Sequence, residues 1–306
     1  MPMLLDALGA DKLSVGAPYF DSVFVPIMTP AIFLMGLGPL ARWKSARVPE
    51  LAVRLRWAAL VSVLTAIFLP WLLGSWRPLA SLGVLLAAWT LTSVAVSMRE
   101  RLRGLQGSIL VRLRSVPRAT WGMWLAHAGV GVFIVGATLV KGYETERDVL
   151  LRPGESVSVN GYDFRYDGVR AVSGPNYRAT RATLVASRGG EPVATLFPEK
   201  RVFAVQNTPI TEAAIDHAVL RDLYVALDQP VGANAWSIRI QIKPFVRWIW
   251  GGCLLMALGG LLAATDRRYR LVAQRRTQRA ERLAGVAVHE VPAVAKRTGA
   301  AGEAGR

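Results

Sequence analysis

Five apolar runs leave this chain few folds to choose from. They are Val23–Leu40, Trp57–Leu73, Leu79–Met98, Trp121–Val140 and Phe245–Ala264. Each approaches the roughly 20 residues that a helix needs to cross a hydrocarbon layer about 30 Å thick. Trp121–Val140 carries no charged residue, and Phe245–Ala264 carries only Arg247, near its start. Pro26, Pro30 and Pro39 predict kinks in the first run. The bulk composition agrees: 19% of the 306 residues are charged and the mean hydropathy is +0.32, whereas soluble domains carry about 25% charge. The expected fold is a polytopic α-helical membrane protein with five transmembrane helices.

Charge placement gives an orientation. The net charge of +16 would suit a nucleic-acid binder. However, 21 of the 37 basic residues fall in three short segments beside the apolar runs, 41–56, 98–120 and 266–306. That is the pattern of cytoplasmic loops, so no nucleic-acid partner is expected. The turn Gly74–Pro78 lies on the other side, as do residues 1–22 and the long segment 141–244. Residues 265–306 form a basic cytoplasmic tail, unpatterned after residue 284 and expected to be partly disordered. Trp121 with Trp124, and Trp248 with Trp250, predict two interfacial belts. Met1–Asp21 holds Asp6, Asp11 and Lys12 and does not read as a signal peptide.

Segment 141–244 is different material. It holds 13 basic and 12 acidic residues. Apolar and polar residues alternate in Ser156–Asn160, Tyr162–Tyr166, Ala182–Ala186 and Trp236–Ile242, which predicts half-buried strands. Asn160-Gly161 and Arg188–Gly190 read as turns. Thr211–Ala218 reads as one short helix capped by Thr211. The expectation is a compact, mostly antiparallel β domain outside the membrane, tethered at both ends.

Few side chains offer chemistry. A single cysteine, Cys253, excludes a disulfide framework, a Cys-x-x-Cys pair and an iron–sulfur cluster within the chain. Of three histidines, His289 falls in the tail and His217 in the expected short helix. His127 lies inside the fourth apolar run, where an ionisable group is costly without a partner and marks function by default. Two roles suit it: donating one N–H to a neighbouring helix, or ligating a metal or haem. Gly131 at i+4, with Gly129 and Gly136, would leave clearance for a flat macrocycle, although small residues also let helices pack closely. Met28 and Met35 in the first run are the local candidates for a second ligand. Gly251-Gly252 and Gly259-Gly260 read as packing glycines, and Glu199–Arg201 and Arg221-Asp222 as a solvated charged face.

Several dispersed segments, in order, carry a resemblance. They are Gly16–Pro26, Trp121–His127, Pro198–Arg201, Thr211–Asp216, Arg221–Ala226, Lys243–Trp250 and Asp266–Arg270. Together they resemble the carboxy-terminal part of the CcmF family of cytochrome c-type biogenesis proteins, from about residue 3 to 271. The resemblance implies a multi-pass protein of the bacterial inner membrane whose amino terminus and residues 141–244 are periplasmic. It implies cytochrome c maturation by a haem lyase that takes haem from CcmE-like proteins, works with CcmH-like proteins and promotes thioether attachment to apocytochrome c. It also implies a transmembrane haem b that keeps the transferred iron reduced, with His127 as one axial ligand. The family's WWD segment and its other transmembrane histidine have no counterpart here. The second ligand would then come from an amino-terminal half, on a separate chain if the gene is split, and this chain would be inactive without that half. A membrane-anchored docking subunit is the alternative, and a transporter component a weaker one.

Overall fold

The structure, a computed structural model, describes residues 17–41, 47–205, 208–232 and 234–266, with side chains from residue 22 onward. Six helices are described: α1 (Ala17–Leu37), α2 (Val48–Leu72), α3 (Pro78–Arg103), α4 (Ile109–Ser115), α5 (Arg118–Tyr143) and α6 (Val246–Ala264). Four of them, α2, α3, α5 and α6, are long and apolar enough to cross a membrane. The described apolar part of α1, Ser22–Leu37, is shorter. The expected first span therefore starts earlier and stops three residues sooner, with Pro26 and Pro30 inside the helix and Pro39 in the turn beyond it. Proline within the first two positions opens α2 and α3, where its missing N–H has no intrahelical partner to lose. The short helix α4 sits in the basic 98–120 segment and was not legible as a separate element.

The central pairing is α5 against α6, which run in opposite directions. Glycine recurs every seven residues on both: Gly122, Gly129 and Gly136 on α5, Gly252 and Gly259 on α6. A Cβ at Gly129 would stand 2.7 Å from the Met256 backbone nitrogen, and one at Gly252 2.5 Å from that of Phe133. The two backbones thus touch along a glycine seam, and lipid offers no competing hydrophobic drive. Gly251 and Gly260 have nothing near them, so only one glycine of each expected pair packs.

Polar contacts fix the remaining helices. Arg54 on α2 grips the Glu100 carboxylate on α3 through Nε at 2.9 and 3.1 Å. Trp89 on α3 stacks on Phe33 at 5.2 Å and donates its Nε1 hydrogen to the Phe33 carbonyl at 2.9 Å. Asp266, just past α6, accepts from the Ala119 backbone N–H at 3.0 Å and so caps the start of α5.

Between α5 and α6 lies a β sandwich. Its strands are β1 (Thr145–Leu151), β2 (Ser156–Val159), β3 (Tyr162–Ser173), β4 (Tyr177–Arg188), β5 (Glu191–Leu196), β6 (Glu199–Phe203), β7 (Pro209–Glu212), β8 (Ala214–His217), β9 (Arg221–Val231) and β10 (Ala235–Pro244). One sheet has the order β1-β10-β9-β8 and the other β2-β3-β4-β6-β7, with β5 also on β4; every pairing is antiparallel. Alternate residues point inward, so Phe164, Tyr166 and Leu184 meet Leu223, Val225, Ile238 and Ile240 in one core. Asn160 and Gly161 both have positive φ, which joins β2 to β3 by a two-residue hairpin.

The expected helix over Thr211–Ala218 is instead β7 and β8. Pro209–Glu212 completes a ladder on β6 and Ala214–His217 one on β9, and these pairings override a helical pattern shorter than three turns. The junctions with the helices are nearly linkerless. Only Glu144 separates α5 from β1 and only Phe245, at φ +59°, separates β10 from α6. Thr145 and Ile242 then face each other as the first rung of the β1–β10 ladder.

Candidate functional site

His127 lies on α5 and is half-buried. Its Nδ1 stands 2.8 Å from the Met123 carbonyl, one turn back on the same helix. A carbonyl only accepts, so Nδ1 donates and the lone pair of the neutral ring is on Nε2. Nε2 has no hydrogen-bond partner among the described residues. It faces the end of α1, where a Cβ on Gly38 would stand 3.8 Å away. One nitrogen is thus held by a carbonyl and the other is left without a hydrogen-bond partner among the described residues, a state in which an imidazole can ligate.

The surroundings are held by a short polar chain. Trp124, three residues before His127, donates Nε1–H to Ser97 Oγ at 3.1 Å, and Ser97 donates to the Pro39 carbonyl at 3.2 Å. Three elements, α5, α3 and the turn after α1, are thereby locked around the imidazole. Trp124 is consequently buried inside the bundle and does not belong to an interfacial belt. Trp250, in contrast, is exposed.

The glycines near His127 play a different part from the one their spacing suggested. Gly129 and Gly136 face the α6 backbone. A Cβ on Gly131 would be 2.6 Å from the Leu91 side chain of α3, so that face is filled by leucine rather than left clear. The open space lies instead on the α1 side. There α1, α3 and α5 enclose an apolar cavity of about 720 Å³, lined by Met28 and Met35 among others. Val130, one turn along α5 from His127, is the nearest α5 residue that lines it.

The sandwich holds further ionisable groups, and two expectations change there. Glu199 and Asp222, assigned from sequence to a solvated face, are 3% and 6% exposed. Burial pushes the Glu199 carboxyl up, but hydrogen bonds from Arg201, at 2.7 Å, and Arg181 outweigh it and hold the group below the ordinary carboxylate range. His217, in β8 rather than a helix, places Nδ1 2.9 Å from Asp222 Oδ2. Arg221 binds Asp216 and lies 5.4 Å over the Tyr162 ring. Among the described residues no group of three or more His, Cys, Asp or Glu could hold a metal ion. His289 and the basic tail lie outside the described residues.

Residues 142–244 match the family described as the CcmF C-terminal beta-sandwich. Over 292 residues the chain is 42% identical to the cytochrome c-type biogenesis protein CcmF of Pseudomonas aeruginosa, a match covering 93% of this chain and 43% of the relative. It is 38% identical to CcmF of Escherichia coli, over 88% of this chain and 41% of that one. It is 36% identical to the cytochrome c-type biogenesis protein CycK of Rhizobium meliloti, over 91% and 42%. A solved structure, Cytochrome c Heme Lyase CcmF, superposes with a TM-score of 0.67 at 25% identity and covers 87% of this chain and 43% of that one. The chain thus spans less than half the length of the curated relatives it matches.

Proposed function

We propose, on the premise that this chain corresponds to the carboxy-terminal part of CcmF, that it serves cytochrome c maturation within a membrane haem lyase, with His127 as one axial ligand of a transmembrane haem b. The observation that carries this reading is the imidazole itself: inside a membrane helix, fixed through Nδ1 by the Met123 carbonyl, with Nε2 unpartnered among the described residues. The bound haem would supply an electron that keeps the iron of the transferred haem ferrous. The chain's own residues do the rest. Met123 selects the tautomer, the Trp124–Ser97–Pro39 hydrogen bonds set the ring's position against α1, and Gly38 keeps a side chain out of its path. A second ligand would be supplied by a segment corresponding to the amino-terminal half.

The same reading makes the protein one of the bacterial inner membrane with the sandwich in the periplasm. The arginines 99, 101, 103, 112, 114 and 118, all at the bundle end opposite the sandwich, support that orientation. The sandwich then faces CcmE-like and CcmH-like proteins and apocytochrome c. A docking role suits it better than a catalytic one, because the buried Glu199 carboxylate is taken up in ion pairs with Arg181 and Arg201.

The test is spectroscopic. The chain is purified from membranes together with an amino-terminal half, and the reduced-minus-oxidised visible spectrum is recorded. A low-spin b-type spectrum is expected, lost in His127→Ala and unchanged in His217→Ala. Full b-haem content in His127→Ala would show the ligand assignment to be wrong.

A further inference from the structure

The cavity between α1, α3 and α5 runs from Met35 and Val130 toward the sandwich. Its walls are apolar for most of their length, with Met28, Ile32, Leu86, Phe133 and Ile134 among them. Arg77 and Lys141 line it at the end nearest the sandwich. Arg77 is exposed at the start of α3, and the turn before it is tied to α5 by the Tyr143 hydroxyl, which donates to the Ser75 carbonyl at 3.0 Å. The backbone that carries Arg77 is therefore held at the mouth. Lys141 is 14 residues from His127, about 21 Å along the helix. That is farther than a porphyrin extends from its iron to its carboxylates, so one macrocycle on His127 cannot also use this charged end.

A space of this shape suits an amphipathic anion: a long apolar body inside and a negative head at the surface. An empty apolar space would forfeit dispersion contacts on every wall, and this one opens in a protein surrounded by acyl chains. Basic pockets between membrane helices are a recurrent way of holding anionic headgroups. We propose that the cavity holds an acyl chain of an anionic phospholipid, with the phosphate at Arg77. Bound there, the lipid wedges α1 against the α3–α5 pair on the sandwich side, while the Trp89 and Ser97 contacts hold the other end of α1.

The test uses the full chain purified from native membranes in mild detergent with whatever co-purifies, washed extensively, and assayed for phosphorus and for lipid class by mass spectrometry. A stoichiometric phosphatidylglycerol or cardiolipin is expected. Arg77→Gln should retain about five-fold less, the effect of one cation at a membrane surface. Ala137→Phe, which fills the cavity from α5, should abolish retention. Arg77 is exposed, so its variant keeps the fold and decides the matter if Ala137→Phe does not assemble. Retention that is equal in wild type and Arg77→Gln, absent from both, or of a zwitterionic lipid overturns the proposal. So does a porphyrin or quinone found in place of phosphorus. The readout is phosphorus and not haem, so this inference and the His127 assignment fail separately.

Discussion

At the scale of single residues, the buried polar groups are informative because each has either a named partner or none. His127 is held through Nδ1, and its partner carbonyl belongs to its own helix, so the ring's orientation survives any rigid shift of α5. Trp124→Phe removes the indole N–H and leaves Ser97 without its donor; it should shift the haem spectrum or lower haem content without unfolding the bundle, as visible absorbance and size exclusion would report. Tyr166 is the opposite case. It is 0% exposed in the sandwich core and its hydroxyl has no partner among the described residues. Tyr166→Phe should therefore raise the sandwich's stability by about 1 kcal/mol in chemical denaturation, since it removes a desolvated hydroxyl that gains nothing. Of these residues only His127 stood out from sequence, because an ionisable side chain in an apolar run is conspicuous. Trp124 read as an interfacial aromatic, and only the fold brings Ser97 within reach of it. Glu199 and Asp222 sit among charged neighbours in the sequence, and their burial follows from strand register, which local patterning does not encode.

At the scale of elements, the α5–α6 pair is defined by where glycine is and is not required. Gly252→Leu drives a side chain into the Phe133 backbone, so it should cost about 1–3 kcal/mol or separate the helices. Gly251→Leu, one residue away, meets open space and should be close to neutral. Thermal unfolding of both variants in detergent makes the comparison. The helices that span and the alternating strands were legible because membrane crossing and half-burial impose long, regular patterns. The segment 209–217 was not, since two strands of four residues are too short to show a period, and what decides them is the unpaired edge of β6 and of β9. Edge strands of this kind depend on their neighbours and not on their own sequence.

At the scale of the whole molecule, two bodies with different solvents are joined without a linker. The sandwich has its own closed core, so residues 142–244 expressed alone should fold as a soluble domain, visible as a cooperative transition by circular dichroism. Its stability should fall in acid. The Glu199 carboxyl is held below its usual range in the folded state, so its contribution is complete above the unfolded value of about 4.3 and is lost as pH falls through the lower, folded value. Glu199→Gln should flatten that acid limb while lowering stability at neutral pH. The linkerless junction also sets an order of events during synthesis. Helix α5 emerges about a hundred residues before α6, the helix that meets its glycine seam, and those residues build the sandwich in between. Closing the β1–β10 ladder returns the chain to the membrane beside the point where it left. The sandwich is thus the jig on which the helix pair is aligned, and a mutation that slows its folding leaves α5 waiting in the bilayer with its seam exposed to passing helices.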